Sequence, residues 1–148
     1  MRTYVAVILV RESDGAILIQ HRDKRTIYNP LTWCAVGGQK ENPLKSDQEE
    51  AARELYEETG IEVNPDDLKV LGRQENCEVP EDGIPETRIF YWAKYNKQEF
   101  QTKEGFEIRF VTKKEFEQFE FSPGHKEMLS YAFSVFDQSK NKEREQIP

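Results

Sequence analysis

The sequence predicts an α/β sandwich, on three observations. Short apolar runs bounded by turn residues recur along the chain, from Thr3–Val10 to Glu107–Thr112. Three segments with helical patterning lie among and after them, at 47–59, 113–120 and 123–136. The whole is 148 residues, one domain's worth of chain and enough to bury a core. Strands interleaved with helices at that length predict helices layered on a sheet.

The elements follow in order. Thr3–Val10 and Ala16–Gln20 flank Asp14-Gly15, a hairpin signal. Asn29-Pro30 marks a turn, and Trp33–Val36 is a short strand that delivers the chain to Gly37. Ser46 with Glu49 three residues on has the form of a capping box, so a helix begins near Asp47. Gly60 suits a left-handed cap, so that helix ends near Thr59. Leu68–Cys77 and Thr87–Tyr95 are strands joined by a loop of Pro, Glu and Gly, and Glu107–Thr112 is another. Lys113–Glu120 is a short helix. Ser122-Pro123 starts the last helix, which is expected to run to about Phe136. The polar residues 137–148 are expected to fray. No repeat or linker divides the chain, so residues 1–136 form one domain.

Composition narrows the function. Hydrophobic content is 36% and charged residues make up 33%, so the surface must be strongly polar. A net charge of −7 argues against a broad surface for nucleic-acid polymers or anionic membranes. Cys34 and Cys77 make no disulfide framework, and two histidines without a C-x-x-C make no zinc site. No stretch approaches a membrane span, and no small-residue cleavage site follows Thr3–Val10. The expected location is a reducing cytoplasm. Oligomeric state is not legible.

The helix at 47–59 carries the chemistry. At about 100° per residue, Glu50, Glu54, Glu57 and Glu58 fall within an arc of roughly 100°. Ala51, Ala52, Leu55, Tyr56 and Thr59 fall opposite and are expected to face a core. Like charges at i, i+4 destabilise a helix by about 0.2–0.5 kcal/mol per pair, and Glu50/Glu54 and Glu54/Glu58 are such pairs. Glu57 and Glu58 also sit in the last turn, where the macrodipole disfavours an anion by roughly 0.3–1 kcal/mol. A solvated acidic face needs no such placement. Carboxylates clustered on a rigid element suit Mg²⁺, a hard cation that takes oxygen ligands. A cation bridge would also reconcile the acidic chain with a phosphorylated substrate.

Arg53-Glu54-Leu55-Tyr56-Glu57-Glu58-Thr59-Gly60-Ile61 matches R-E-U-x-E-E-x-G-U, with U aliphatic, at every fixed position. That is the second half of the Nudix box, and Gly37-Gly38 resembles the glycine pair that opens it. Over about residues 3–136 the chain resembles a Nudix hydrolase. The first half departs from the pattern G-x5-E-x7-R. Counting back from Arg53 puts Gln39 at the glycine and Lys45 at the glutamate, and counting forward from Gly38 puts Leu44 there. The loop is one residue longer and lacks its glutamate, for which Glu41 and Glu49 are the candidate substitutes.

The resemblance implies the Nudix fold, a mixed sheet between helices in an α/β/α sandwich. It also implies hydrolysis of a nucleoside diphosphate linked to a further group X, by attack of water on phosphorus, with Mg²⁺ as cofactor and Mn²⁺ able to substitute. Glu54, Glu57, Glu58 and Gly38 would hold metal. Glu54 or the downstream Glu104 would take the proton, and Arg53 would orient the carboxylates. Glu107 lies near the same downstream region. Gly37, Gly38 and Arg22 would meet substrate phosphate. Among substrates, small size tilts the expectation towards nucleoside triphosphates. Two alternatives stand beside this one. The first is a Nudix-fold nucleotide-binding or regulatory module without turnover, suggested by the missing glutamate. The second is an isopentenyl-diphosphate isomerase-like enzyme, suggested by a slight resemblance at Trp33-Cys34. Outside the box, Trp33 and Tyr91 are read as core aromatics that could stack on a base. Cys34 is read as a small core residue and His125 as a surface residue of a helix first turn.

Overall fold

A computed structural model describes residues 2–21, 32–78, 83–102 and 107–145. Its strands are β1 (Arg2–Val10), β2 (Ile17–His21), β3 (Trp33–Cys34), β4 (Val36–Gln39), β5 (Lys69–Cys77), β6 (Glu86–Lys94) and β7 (Glu107–Val111). Its helices are α1 (Asp47–Thr59), α2 (Lys113–Phe116) and α3 (His125–Glu145). Among the described residues, no helix is long and apolar enough to cross a membrane.

Strand β1 organises the sheet because it is apolar on both faces. Val5 through Val10 are each fully buried, as an unbroken VAVILV run requires when both sides are covered. One edge of β1 pairs in parallel with β6 along its length, from Arg2↔Glu86 to Val10↔Lys94. The other edge is shared. Tyr4 to Val7 pair with β4 antiparallel, and Val10 meets Ile17 of β2. Strand β2 then carries β7 and β3, and β5 closes the far side against β6. The sheet is mixed and lies between helices, the expected sandwich.

Alternation along β1 divides the core. Val5, Val7 and Leu9 pack under α1 with Leu18, Val36, Leu55 and Ile61. Ala6, Ile8 and Val10 pack under α2 and α3 with Phe90, Phe116, Leu129 and Phe136. The helix that carries the box therefore has one face of the sheet to itself.

Several expected boundaries move. The strand expected at Trp33–Val36 is two strands broken at Ala35, and Gly37-Gly38 lie within the second. The break falls where Ala35 turns its polar groups to side chains: its N–H donates to His125 Nδ1 at 3.1 Å, and its carbonyl accepts from Tyr4 Oη at 3.2 Å. Helix α2 stops at Phe116, four residues short of the expected Glu120. Helix α3 starts at His125, because Gly124 at φ 84° holds a conformation no helix continues. It runs on past Phe136 to Glu145. No Pro or Gly interrupts that stretch; Lys140 Nζ donates to Glu12 O in the β1–β2 turn at 3.1 Å, and Lys94 of β6 donates to Glu143 at 3.0 Å. His125 is also not a surface residue. It is 3% exposed, with Tyr4 and Phe90 packed edge-on to its ring. The Asn29-Pro30 turn lies outside the described residues.

Candidate active site

Helix α1 has the ends its sequence specifies. Ser46 Oγ accepts from Glu49 N at 3.1 Å while Glu49 Oε1 accepts from Ser46 N at 3.2 Å, a reciprocal capping box. Gly60 closes the far end at φ 78°, its N–H donating to Tyr56 O. Ala51, Ala52, Leu55 and Thr59 face the sheet as expected. Tyr56 does not, being 53% exposed. It sits one turn beyond Ala52, already at the edge of the buried stripe.

Strands β2 and β4 share one edge of β1, and both present polar or empty positions beneath the C-terminal half of α1. Gly38 in β4 lies directly under Glu54. A Cβ built there would come within 2.5 Å of Glu54 Oε2, so the missing side chain is the space the carboxylate fills. Gly37 serves a different purpose: a Cβ there would meet Val5 O at 2.2 Å, so its absence lets β4 close on β1. From β2, Gln20 is buried and its Nε2 donates to Glu58 Oε2 at 3.1 Å.

Arg53 is the cation at the centre. Its Nη2 donates to Glu54 Oε1 at 2.9 Å, and its Nη1 stands 2.9 Å from Glu57 Oε1 and 3.6 Å from Glu41 Oε2. Nη1 makes no hydrogen bond of good angle despite that closeness. Its attraction to Glu57 is thus electrostatic, between groups whose side chains are 29% and 43% exposed. The Nε edge donates to Glu50 Oε2 at 2.5 Å. Burial works against the Arg53 charge, but its bond to Glu50 and the close Glu57 and Glu54 carboxylates hold its pKa above the ordinary value.

One guanidinium does not neutralise the cluster. Glu54 is 6% exposed, and burial pushes its carboxyl above the ordinary range. Arg53 pulls it back, while Glu57 and Glu58 push it up again. Glu50 behaves oppositely. Burial alone would raise it, yet hydrogen bonds from Arg53 and from the Asn42 amide hold it below the usual carboxylate range.

Among the described residues, no three His, Cys, Asp or Glu side chains already converge as a cation cage. Glu57 is turned to Arg53 and Glu58 to Gln20. The donor set nonetheless fits a hard divalent cation. The side-chain donors are carboxylate oxygens, Gly38 lets Glu54 settle against β4, and Glu54 is a buried anion short of positive charge. Beside Glu57 and Glu58 lies an open surface groove of about 1020 Å³, walled in part by Tyr56, Tyr95 and Phe100. That is ample for a nucleotide-sized ligand.

Of the residues expected from sequence, Arg53, Glu54, Glu57, Glu58, Gly37 and Gly38 come together here. Arg22 and Glu104 lie outside the described residues. Glu107 opens β7 opposite His21. Glu41 approaches Arg53, while Glu49 is occupied by the cap. Cys34 is buried, in line with a core residue, and offers no thiol to a ligand. Trp33 stacks on His21 with ring centroids 4.5 Å apart, and Tyr91 is buried. Two participants escaped sequence reasoning, Gln20 and the buried role of Glu50. A glutamine closing the apolar Ile17-Leu18-Ile19 run was the one available signal for the first.

A NUDIX domain model matches residues 1–132. No curated protein matches the chain in sequence. Among solved structures, the chain is similar to the MutT protein of Methanosarcina mazei Go1, at 23% identity over 94% of each chain with a TM-score of 0.73. It is similar to the ORF135 protein of E. coli at 25% identity, covering 95% of this chain and 93% of that one, with a TM-score of 0.72. The NUDIX domain of Shewanella oneidensis NrtR, complexed with ADP ribose, shares 15% identity at a TM-score of 0.75, covering 90% of this chain and 87% of that one.

Proposed function

Since the chain belongs to the NUDIX domain family, we propose that this hydrolase of nucleoside diphosphate derivatives is a Mg²⁺-dependent nucleoside triphosphate pyrophosphohydrolase. The observation that carries the reading is Glu54: a carboxylate buried over Gly38, raised by burial and flanked one turn along by Glu57 and Glu58. A structural helix has no use for that arrangement.

Glu54, Glu57, Glu58 and the backbone at Gly38 would hold the divalent cation, and the absent Gly38 side chain gives the Glu54 carboxylate its place. When bound, the cation supplies positive charge against the phosphate oxygens where negative charge builds up. The chain's own residues supply the rest. Arg53 would orient Glu54 through the Nη2 hydrogen bond and draw Glu57 in by charge at Nη1. Glu54 or Glu104 would accept the proton of the attacking water. Arg22 and the backbone at Gly37 and Gly38 would meet the substrate phosphates. The groove beside Glu57 takes the remainder of the substrate.

A panel of nucleoside triphosphates, dinucleoside polyphosphates, nucleotide sugars and ADP ribose, assayed with Mg²⁺ and with Mn²⁺, tests the reading. Triphosphates should give nucleoside monophosphate and pyrophosphate, and EDTA should stop the reaction. Undiminished turnover in excess EDTA would sink the metal reading. The second reading, a binding module without turnover, draws support from the positions that lack the pattern glutamate. Leu44 is 93% exposed, and Lys45 Nζ lies 3.7 Å from Glu49. Tight ADP ribose or nucleotide binding with no product over hours would favour that reading.

A further inference from the structure

Glu50 is one of the largest fully buried side chains of the molecule, 1% exposed, yet it is a carboxylate. A buried charge is costly unless paired and hydrogen-bonded. Both of its oxygens are used. Oε1 accepts from the Asn42 amide at 2.5 Å, and Oε2 accepts from Arg53 Nε at 2.5 Å. The first bond draws the loop between β4 and α1 onto the helix. The loop then holds its own shape: Asn42 Oδ1 accepts from Leu44 N at 2.9 Å, and Asn42 O accepts from Lys45 N at 3.2 Å. The second bond clamps the Nε edge of the guanidinium. A guanidinium is rigid and planar, so fixing one edge aims the other two. Those two edges are the ones that meet Glu54 and Glu57.

We propose that Glu50 is a positioning residue for the hydrolysis reaction, acting through Arg53. The inference rests on the active-site reading above and goes beyond the box pattern, which leaves position 50 unspecified. In this chain the loop has no glutamate at its pattern position, having Leu44 or Lys45 there. Glu50 supplies a carboxylate to that loop from the helix instead. It is separated from the cluster by Arg53, which it orients without joining the ligands. Glu41, whose nearest approach to Arg53 is 3.6 Å from an exposed position, is too loosely held for that task.

A double-mutant cycle tests this, with Glu50→Gln, Arg53→Gln and the pair. Each protein is read by kcat and KM on the best nucleotide and by the Mg²⁺ concentration that half-saturates its thermal shift. Glu50→Gln should lower kcat by roughly 10- to 100-fold, the scale expected of a displaced catalytic constellation, with KM little changed. Its Mg²⁺ midpoint should rise. In the Arg53→Gln background, adding Glu50→Gln should change kcat by less than about 3-fold, because the route is already cut. Losses that multiply in the double variant would overturn the proposal, as would a Glu50→Gln protein with parental kcat and Mg²⁺ midpoint. If Glu50→Gln does not fold, Glu50→Asp takes its place in the cycle: a lowered kcat dependent on Arg53 supports the proposal, and a parental kcat overturns it. A parent that hydrolyses no nucleotide defeats the function reading alone, since the Mg²⁺ midpoints still report on Glu50. A parent with neither turnover nor Mg²⁺ response overturns both.

Discussion

Gly37 and Gly38 are adjacent in sequence, and the same substitution should break them in different ways. Neither has a positive φ, so what each requires is space. An alanine Cβ at Gly37 would fall 2.2 Å from Val5 O and 2.8 Å from Ala6 Cα, both backbone atoms of the central strand. Only a shift of β4 away from β1 relieves that contact. Overpacking of this kind costs about 3 kcal/mol, the upper end of its usual range. For a chain of 148 residues that is roughly 6–12 °C in melting temperature. At Gly38 the Cβ would fall 2.5 Å from Glu54 Oε2, the far end of a side chain that can swing away. Swinging it outward also rehydrates a buried carboxylate, so Gly38→Ala should change metal-free stability by no more than about 1 kcal/mol. Turnover should nonetheless fall by about 100-fold, because a catalytic group has moved by an ångström or more. The assay is a urea melt in EDTA beside kcat in Mg²⁺ for each variant. Gly38→Ala with parental kcat would refute the placement of Glu54 over Gly38, and Gly37→Ala with a parental melt would refute the strand packing.

Three further outcomes are expected. Saturating Mg²⁺, at about 100 times its Kd, should raise the melting temperature by roughly 5–10 °C, from a stabilisation of about 2.7 kcal/mol; a melt indifferent to divalent cations would make the acidic face merely solvated. Glu57→Gln should leave metal-free stability within about 1 kcal/mol of the parent, since a part-exposed ion pair is exchanged for relief at the helix end, while turnover drops at least 100-fold. Glu49→Gln should do the reverse, weakening the cap while keeping activity; similar behaviour of the two variants contradicts the assignment. The third concerns pH in EDTA. The Glu54 carboxyl is raised in the folded chain above its ordinary 4.5, so its contribution to stability is fully present below that value and is lost as pH rises through the folded pKa. Glu54→Gln should therefore gain on the parent as pH rises from about 4 and level off once Glu54 is ionised. A stability difference flat from pH 4 to 8 contradicts it.

What was legible in the sequence was whatever local spacing determines. Ser46 and Glu49 announce a cap, Gly60 a stop, and the 3.6-residue period sorts Ala51 and Leu55 from Glu54 and Glu57. The unbroken apolar run of β1 announces a strand covered on both faces. What was not legible depends on chain distant in sequence. Periodicity puts Glu50 on the acidic arc, but only the loop folding back through Asn42 buries it. His125 lies just past Pro123-Gly124 and reads as a solvated helix start. Gly124 delays the helix, and the ring enters the core to accept the Ala35 amide. Polarity suggests a frayed tail after Phe136, yet no Pro or Gly lies between Phe136 and Glu145, and Lys94 anchors the helix across 49 residues. The break between β3 and β4 follows from the same Ala35 bonds, which no window of a few residues contains.

The acidic side chains of α1 meet one excess of charge in separate ways. Glu57 leans on Arg53 at a poor angle, Glu58 takes the buried amide of Gln20, and Glu54 shifts towards protonation. Glu50 contrasts with Glu54: it accepts a hydrogen bond at each oxygen and its pKa is lowered, whereas burial raises that of Glu54. On the proposed reading the two kinds of carboxylate on this helix have different tasks. Glu50 stays in place and holds Arg53. A cation would give Glu54, Glu57 and Glu58 the positive charge that one guanidinium does not supply.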